Sequence, residues 1–264
     1  MYQFFVEENQ YAGDKIVILG SDVNHIKNVL RMKQGERVRV SVNPSEDAEE
    51  MGRSFFGVIA SISEEEVLVQ IESEDTSGTE LANRIYLFQG LPKGDKMELI
   101  IQKAVELGVY EIVPVAMKNC VVKLDDKKAA SKIKRWQAIS ESAAKQSKRT
   151  LIPAIQMPVS WKEALKRAEE LDVVLVPYEN ERGMEATREI MQNIKPGQSI
   201  GIFVGPEGGF APEEIAMVGE AGVVDTKTQD AKLVGCRISL GRRILRTETA
   251  GLATLSMLVF CLDE

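Results

Sequence analysis

The chain has 264 residues, more than the roughly 150 of a typical domain, so two compact units are expected. Its composition, 44% hydrophobic, 28% charged and 6% aromatic, is globular and excludes collagen-like and disordered chains. The net charge of −7 speaks against a polyanionic partner, but residues 1–75 carry −8, residues 93–149 carry +6 and residues 150–264 carry −5, so a basic band lies inside an acidic protein.

Residues 2–6 and 15–19 alternate apolar and polar side chains, 21–32 reads as a short helix after Ser21, and 37–42, 55–62 and 66–71 are strand-like. This predicts a small, mostly β unit. Residues 73–79 are polar, carry a glycine and lack apolar side chains, which places a boundary near residue 76 and divides the chain into 1–75 and 76–264. Beyond it, a strand at 84–89, a helix at 96–107 and a strand at 111–115 make a βαβ unit. A long basic helix follows at 127–147, then a helix at 160–170, a strand at 172–176, a helix at 183–193, a strand at 199–204 and a helix at 211–220. The alternation predicts an α/β domain with a largely parallel sheet covered by helices. The last helix, 247–260, is apolar almost all round, which predicts burial inside the domain or against another subunit.

Two stretches carry candidate chemistry. Residues 201–214 (GIFVGPEGGFAPEE) run from a buried strand into a glycine-rich loop and a helix with Pro212 near its first position. Ligands of open α/β sheets bind at the carboxyl ends of strands, where glycines admit close backbone approach. The loop lacks the Lys-Ser/Thr of a phosphate-binding loop and the spacing of a dinucleotide site, so a nucleotide-like ligand and a plain tight turn both fit it. In residues 238–250 (ISLGRRILRTETA) a strand leads into a turn with Arg242, Arg243 and Arg246 close to Glu248. Thr247 or its neighbour is placed to cap the next helix, and Glu248 suits its dipole. Capping with surface charge is one reading. Recognition of a phosphate or base by arginines at a strand end is the other.

Absences narrow the chemistry. His25 is the only histidine and lies outside the expected α/β domain, so a Ser/His/Asp triad and histidine-ligated metals are excluded or strained. Cys120, Cys236 and Cys261 are odd in number and far apart, so neither a disulfide framework nor a zinc spacing is available, and no metal is expected. No stretch reaches the roughly 18 apolar residues of a membrane span, and the first ten residues lack the flank of a signal peptide. A cytoplasmic protein without a membrane partner is expected.

Seven segments carry a family resemblance: residues 4–6 (FFV), 25–32 (HIKNVLRM), 93–98 (KGDKME), 102–109 (QKAVELGV), 141–149 (ESAAKQSKR), 204–210 (VGPEGGF) and 239–250 (SLGRRILRTETA). In order and spacing the chain resembles the ribosomal RNA small subunit methyltransferase E family of the SPOUT superfamily. The resemblance implies a PUA-like β-barrel over 1–75 and a methyltransferase domain over 76–264 with a C-terminal trefoil knot. It also implies a homodimer through the knot region, S-adenosyl-L-methionine as cofactor, and N3 of one uridine in 16S ribosomal RNA of the small ribosomal subunit as target. The cofactor loops carried over are Pro177, Tyr178 and Glu179; Val204, Gly205, Pro206, Gly208 and Gly209; and Ser239, Leu240, Gly241, Ile244 and Leu245. Arg246 is expected to stabilise the base or a flanking phosphate, with Glu207 or Glu248 as proton acceptor. Lys27, Arg31, Lys33 and Arg39 in the first unit, with Lys93, Lys145, Arg149 and Arg243, are expected to contact RNA.

The chain departs from the family at three places. Residues 225–235 make a longer connection inside the expected knot, Met1-Tyr2-Gln3 lacks the early arginine common in the family, and Arg242 stands where many members have proline. Two competing readings keep the same fold: a non-catalytic RNA-binding or assembly protein, and a methyltransferase acting on ribose 2′-oxygens. A dehydrogenase-type site lacks its fingerprint.

Overall fold

The computed structural model describes residues 1–43, 52–219 and 235–263. The chain divides into two compact units, Met1–Glu80 with Ala144–Ile152, and Leu81–Ala143 with Pro153–Glu264.

The first unit is a six-stranded curled sheet built from β1 (Tyr2–Val6), β2 (Tyr11–Ala12), β3 (Lys15–Leu19), β4 (Arg37–Val42), β5 (Arg53–Ile62) and β6 (Glu66–Glu74), in the order β1-β4-β5-β6-β3-β2. Only β1 and β4 are parallel, with Phe4 opposite Val40. The period-two pattern puts Phe4, Val6, Ile16, Ile18, Val38, Val40, Phe55, Val67 and Val69 in one core. β6 runs two residues into the expected linker, because Arg53 pairs with Glu74 and the Asp75 amide donates to the Ser54 carbonyl at 2.8 Å. The helix expected over 21–32 is shorter. α1 (Ser21–Asn24) widens into a turn of π-helix over His25–Val29, closed by the Leu30 amide on the His25 carbonyl at 2.8 Å. Arg31 then turns the chain with φ at 54°.

The second unit has the strands β7 (Arg84–Gly90), β8 (Glu111–Ala116), β9 (Ala154–Ile155), β10 (Val159–Ser160), β11 (Val173–Pro177), β12 (Ser199–Val204) and β13 (Cys236–Ile238). They form a parallel sheet in the order β10-β8-β7-β12-β11-β13, with the short β9 beside β8. The near-continuous apolar runs of β11 and β12 are buried on both faces, as central parallel strands require. Phe88 and Phe203 stack across β7 and β12 with ring centroids 4.3 Å apart. The helices are α2 (Lys96–Glu106), α3 (Asp126–Ser147), α4 (Trp161–Ala168), α5 (Glu185–Asn193), α6 (Pro212–Ile215) and α7 (Thr247–Leu262).

Local signals explain several of these ends. Ser160 accepts from the Glu163 amide while the Glu163 carboxylate accepts from the Ser160 amide, a capping box that starts α4. α6 stops at Ile215, well short of the helix expected over 211–220, because the chain turns to pair Gly219 beside Cys236. α7 buries Gly251, Thr254, Leu255 and Leu258 within its own domain, yet Phe260 near its end is 90% exposed. Among the described residues no helix is long and apolar enough to cross a membrane. Of the longer connection at 225–235, residues 225–234 lie outside the described residues.

Candidate active site

β11, β12 and β13 are parallel neighbours, so their carboxyl ends lie on one edge of the sheet. The loops that leave Pro177, Val204 and Ile238 there wall a cavity of about 430 Å³, within the roughly 300–1,000 Å³ of small-molecule sites. Eleven of the thirteen expected cofactor residues line it: Pro177, Tyr178, Glu179, Val204, Gly205, Pro206, Gly209, Leu240, Gly241, Ile244 and Leu245. Arg246, Glu207 and Arg243 line it as well.

Gly208 and Ser239 stand behind this lining. The Gly208 carbonyl accepts from Asn119 Nδ2 at 3.0 Å. Ser239 is buried and bound through its backbone to the Thr187 hydroxyl of α5, at 3.0 and 3.1 Å. Both therefore shape the loops from outside. The loop after β12 requires glycine for a stated reason: Gly209 has φ at 64°, and a Cβ there would meet Glu179 Oε1 at 3.0 Å. At Gly90, a Cβ would come within 2.8 Å of the Pro206 nitrogen, so the end of β7 packs directly under the same loop.

Thr247 does not cap α7. The cap position falls on Arg246, and the Thr247 hydroxyl instead donates to the Gly205 carbonyl at 2.7 Å while accepting from Gln89 Nε2 at 2.9 Å. Through this buried chain β7 and α7 hold the glycine loop. The cavity lining includes five residues not expected there as site residues: Lys96, Arg182, Phe210, Thr247 and Ala250. Phe210 and Thr247 sit inside conspicuous motifs, and Ala250 follows Arg246 by one helical turn. Lys96 comes from the start of α2, far away in the chain.

The charges at the cavity form one network. Lys96 Nζ lies 3.0 Å from Glu207 Oε1 and 3.1 Å from Glu248 Oε2. The Lys93 amide also donates to Glu207 Oε1, at 3.1 Å. Burial alone raises the Glu207 carboxyl, but backbone amides and the Lys96 ammonium outweigh it and hold the group below the usual carboxylate range. The Glu248 carboxyl is lowered first by its own backbone amide, with Lys96 and Arg246 adding to the effect. The two carboxylates in turn raise Lys96. Both candidate proton acceptors are thus ionised at neutral pH and weakly basic.

The residues expected on RNA divide into two groups. Arg31 and Lys33 are exposed in the first unit, and Lys93 and Arg243 are exposed in the second. Arg39 and Arg149 are buried, which corrects the expectation that they meet phosphates. Arg39 Nε pairs with Asp75 at 2.7 Å and its Nη1 donates to Gln3 at 3.0 Å. Arg149 grips Glu80, with Nε at 3.0 Å from Oε2. Lys27 pairs with Glu64 and Lys145 with Asp22. Linear charge counts cannot distinguish a cation facing solvent from one already spent on a carboxylate.

Comparison with known proteins agrees with this architecture. An RNA methyltransferase domain family matches residues 79–259, and an RNA methyltransferase PUA domain family matches residues 12–43. The chain is 35% identical to ribosomal RNA small subunit methyltransferase E of Bacillus subtilis (strain 168), covering 98% of this chain and 96% of that protein. It is 34% identical to the protein of the same name from Mesomycoplasma hyopneumoniae, covering 97% and 98%. The crystal structure of a ribosomal RNA small subunit methyltransferase E from Neisseria gonorrhoeae bound to S-adenosyl methionine superposes with a TM-score of 0.76 at 30% identity, over 98% of this chain and 97% of that one. With its matched domains and near full-length likeness, the chain belongs to the ribosomal RNA small subunit methyltransferase E family.

Proposed function

We propose that the protein uses S-adenosyl-L-methionine to methylate N3 of one uridine in the 16S ribosomal RNA of the small ribosomal subunit, in the cytoplasm and without a metal. The observation that carries this reading is the cavity of about 430 Å³, where three strand ends gather a glycine loop, Glu179, Glu207 and Arg246, with Glu248 just outside the lining. The residues present fit the cofactor. Leu240, Ile244 and Leu245 suit the face of an adenine ring, Glu179 suits hydroxyl or ammonium donors, and the loop of Gly205 and Gly209 admits close backbone approach.

When bound, the cofactor supplies a methyl group on a positively charged sulfur. Alignment of that methyl with the attacking nitrogen provides much of the catalysis, and this is the work of the three loops. Uridine N3 carries a weakly acidic proton that leaves as the N–C bond forms and the C–S bond breaks. Arg246 stabilises the anionic base. Glu207 and Glu248 are the candidate acceptors of the proton, and both are held below the usual carboxylate range.

Exposed Arg31 and Lys33 in the PUA-like unit contact the RNA backbone, as do exposed Lys93 and Arg243 in the methyltransferase unit. Two copies pair through the knotted C-terminal region, where Phe260 leaves a large apolar side chain in solvent. The test incubates protein and labelled S-adenosylmethionine with small subunits lacking the modification, with naked 16S RNA and with tRNA. The expected product is 3-methyluridine in small-subunit RNA. A product with an alkali-resistant neighbouring phosphodiester would move the reaction to a ribose 2′-oxygen, and cofactor binding without any product would leave an RNA-binding protein.

A further inference from the structure

Lys96 is the first residue of α2, where the helix dipole disfavours a cation. Its position is explained by what it touches. The ammonium lies 3.0 Å from Glu207, in the glycine loop after β12, and 3.1 Å from Glu248, in the first turn of α7. Glu248 Oε2 is buried and lies 3.1 Å from Lys96 Nζ, so the Lys96 charge compensates it together with the residue's own backbone amide and Arg246. Lys96 itself lines the cavity, with its side chain 32% exposed. One side chain thus joins three elements that are distant in sequence and that wall the same cavity.

We propose that Lys96 is a positioning residue for methyl transfer, an ammonium that fastens the glycine loop to the first turn of α7 and so holds the cavity walls at a set spacing beside Arg246. The inference rests on the methyltransferase reading for its role, but the clamp itself can be measured without turnover. A second consequence is electrostatic. Lys96 faces Glu207 and Glu248; Glu207 also accepts from the Lys93 amide, Glu248 also senses Arg246 at the cap of α7, and the buried Cys120 thiol is close enough to sense Glu207. Without the ammonium, the two carboxylates lose the positive charge they share, and like charges near one another favour protonation of one.

The test compares Lys96→Met and Lys96→Arg with the wild-type chain in three measurements: amide exchange without ligand, S-adenosylmethionine affinity by calorimetry, and the pH dependence of methyl transfer. In Lys96→Met, amides of residues 205–210 and 247–251 exchange about tenfold faster while those of 161–168 are unchanged, and affinity falls about tenfold. Lys96→Arg keeps affinity within about threefold, since it can still bridge two carboxylates. The acid limb of the rate profile in Lys96→Met moves up by about one pH unit. Wild-type exchange in both segments and wild-type affinity in Lys96→Met would overturn the proposal. Failure of the wild-type chain to methylate any RNA would overturn the functional reading instead, and amide exchange would still decide the clamp.

Discussion

Arg149→Met separates a structural arginine from an RNA contact. The Arg149 and Glu80 side chains are 4% and 7% exposed, and the guanidinium lies along both carboxylate oxygens, with Nε at 3.0 and 3.3 Å. Removing one member of a buried ion pair strands the other charge and costs about 3–5 kcal/mol. Glu80 keeps one strong partner in the variant, the Thr150 amide at 2.7 Å from Oε1. The expected loss is therefore at the lower end, about 3 kcal/mol. Adding Glu80→Gln removes the stranded charge while keeping an acceptor for that amide, so the double variant recovers at least half of the loss. Urea unfolding followed by circular dichroism measures both, and amide exchange in β4 assigns the change to the first unit. The loss persists at high salt because the pair is screened from solvent ions. Wild-type stability in Arg149→Met, combined with weaker RNA binding and a salt slope reduced by about one, would refute the assignment and return Arg149 to the RNA.

Other outcomes follow from the same geometry. Thr247→Val leaves the Gly205 carbonyl and Gln89 without their shared hydroxyl and lowers stability by about 1–3 kcal/mol, with a weaker cofactor affinity; Thr247→Ser restores both, and an unaffected Thr247→Val would disprove the role of this chain. Glu207 and Glu248 are held below the ordinary carboxylate value of 4.5, so their contribution to stability is complete above that pH and is lost only as the pH falls below it through their lower folded values. Thermal unfolding across pH 3–6 checks this, since Glu207→Gln with Glu248→Gln flattens part of that acid limb. Cys261 is exposed while Cys120 and Cys236 are buried, and burial pushes the Cys236 thiol up to about 12. Alkylation of the native protein therefore spares Cys120 and Cys236, which peptide mass mapping reads directly.

Much of the fold is written in short-range patterns. Alternation in residues 15–19, the apolar runs at 173–177 and 199–204, the Ser160 capping box and the glycine loop before Pro212 are each decided by neighbours a few residues away. The cavity loops were legible for the same reason: in parallel α/β sheets, loops at strand carboxyl ends converge whatever their sequence separation. The helix expected at 21–32 and the one at 211–220 failed where long-range pairing or a π-turn outweighed local helical preference.

The chain by itself determined the parallel α/β class of the second unit, the family resemblance and most of the cavity lining, whereas the return of Ala144–Ile152 to the first unit is not visible in it. Only the tertiary structure decided which charges are available. Arg39 and Arg149 read as phosphate contacts, yet Asp75 and Glu80 lie against them; Lys96 lies in a family segment with no role of its own, yet it meets Glu207 and Glu248. The physical reason is that a side chain's charge is a property of one residue, whereas its function depends on whether water or a folded partner neutralises it, and that partner lies tens to over a hundred residues away.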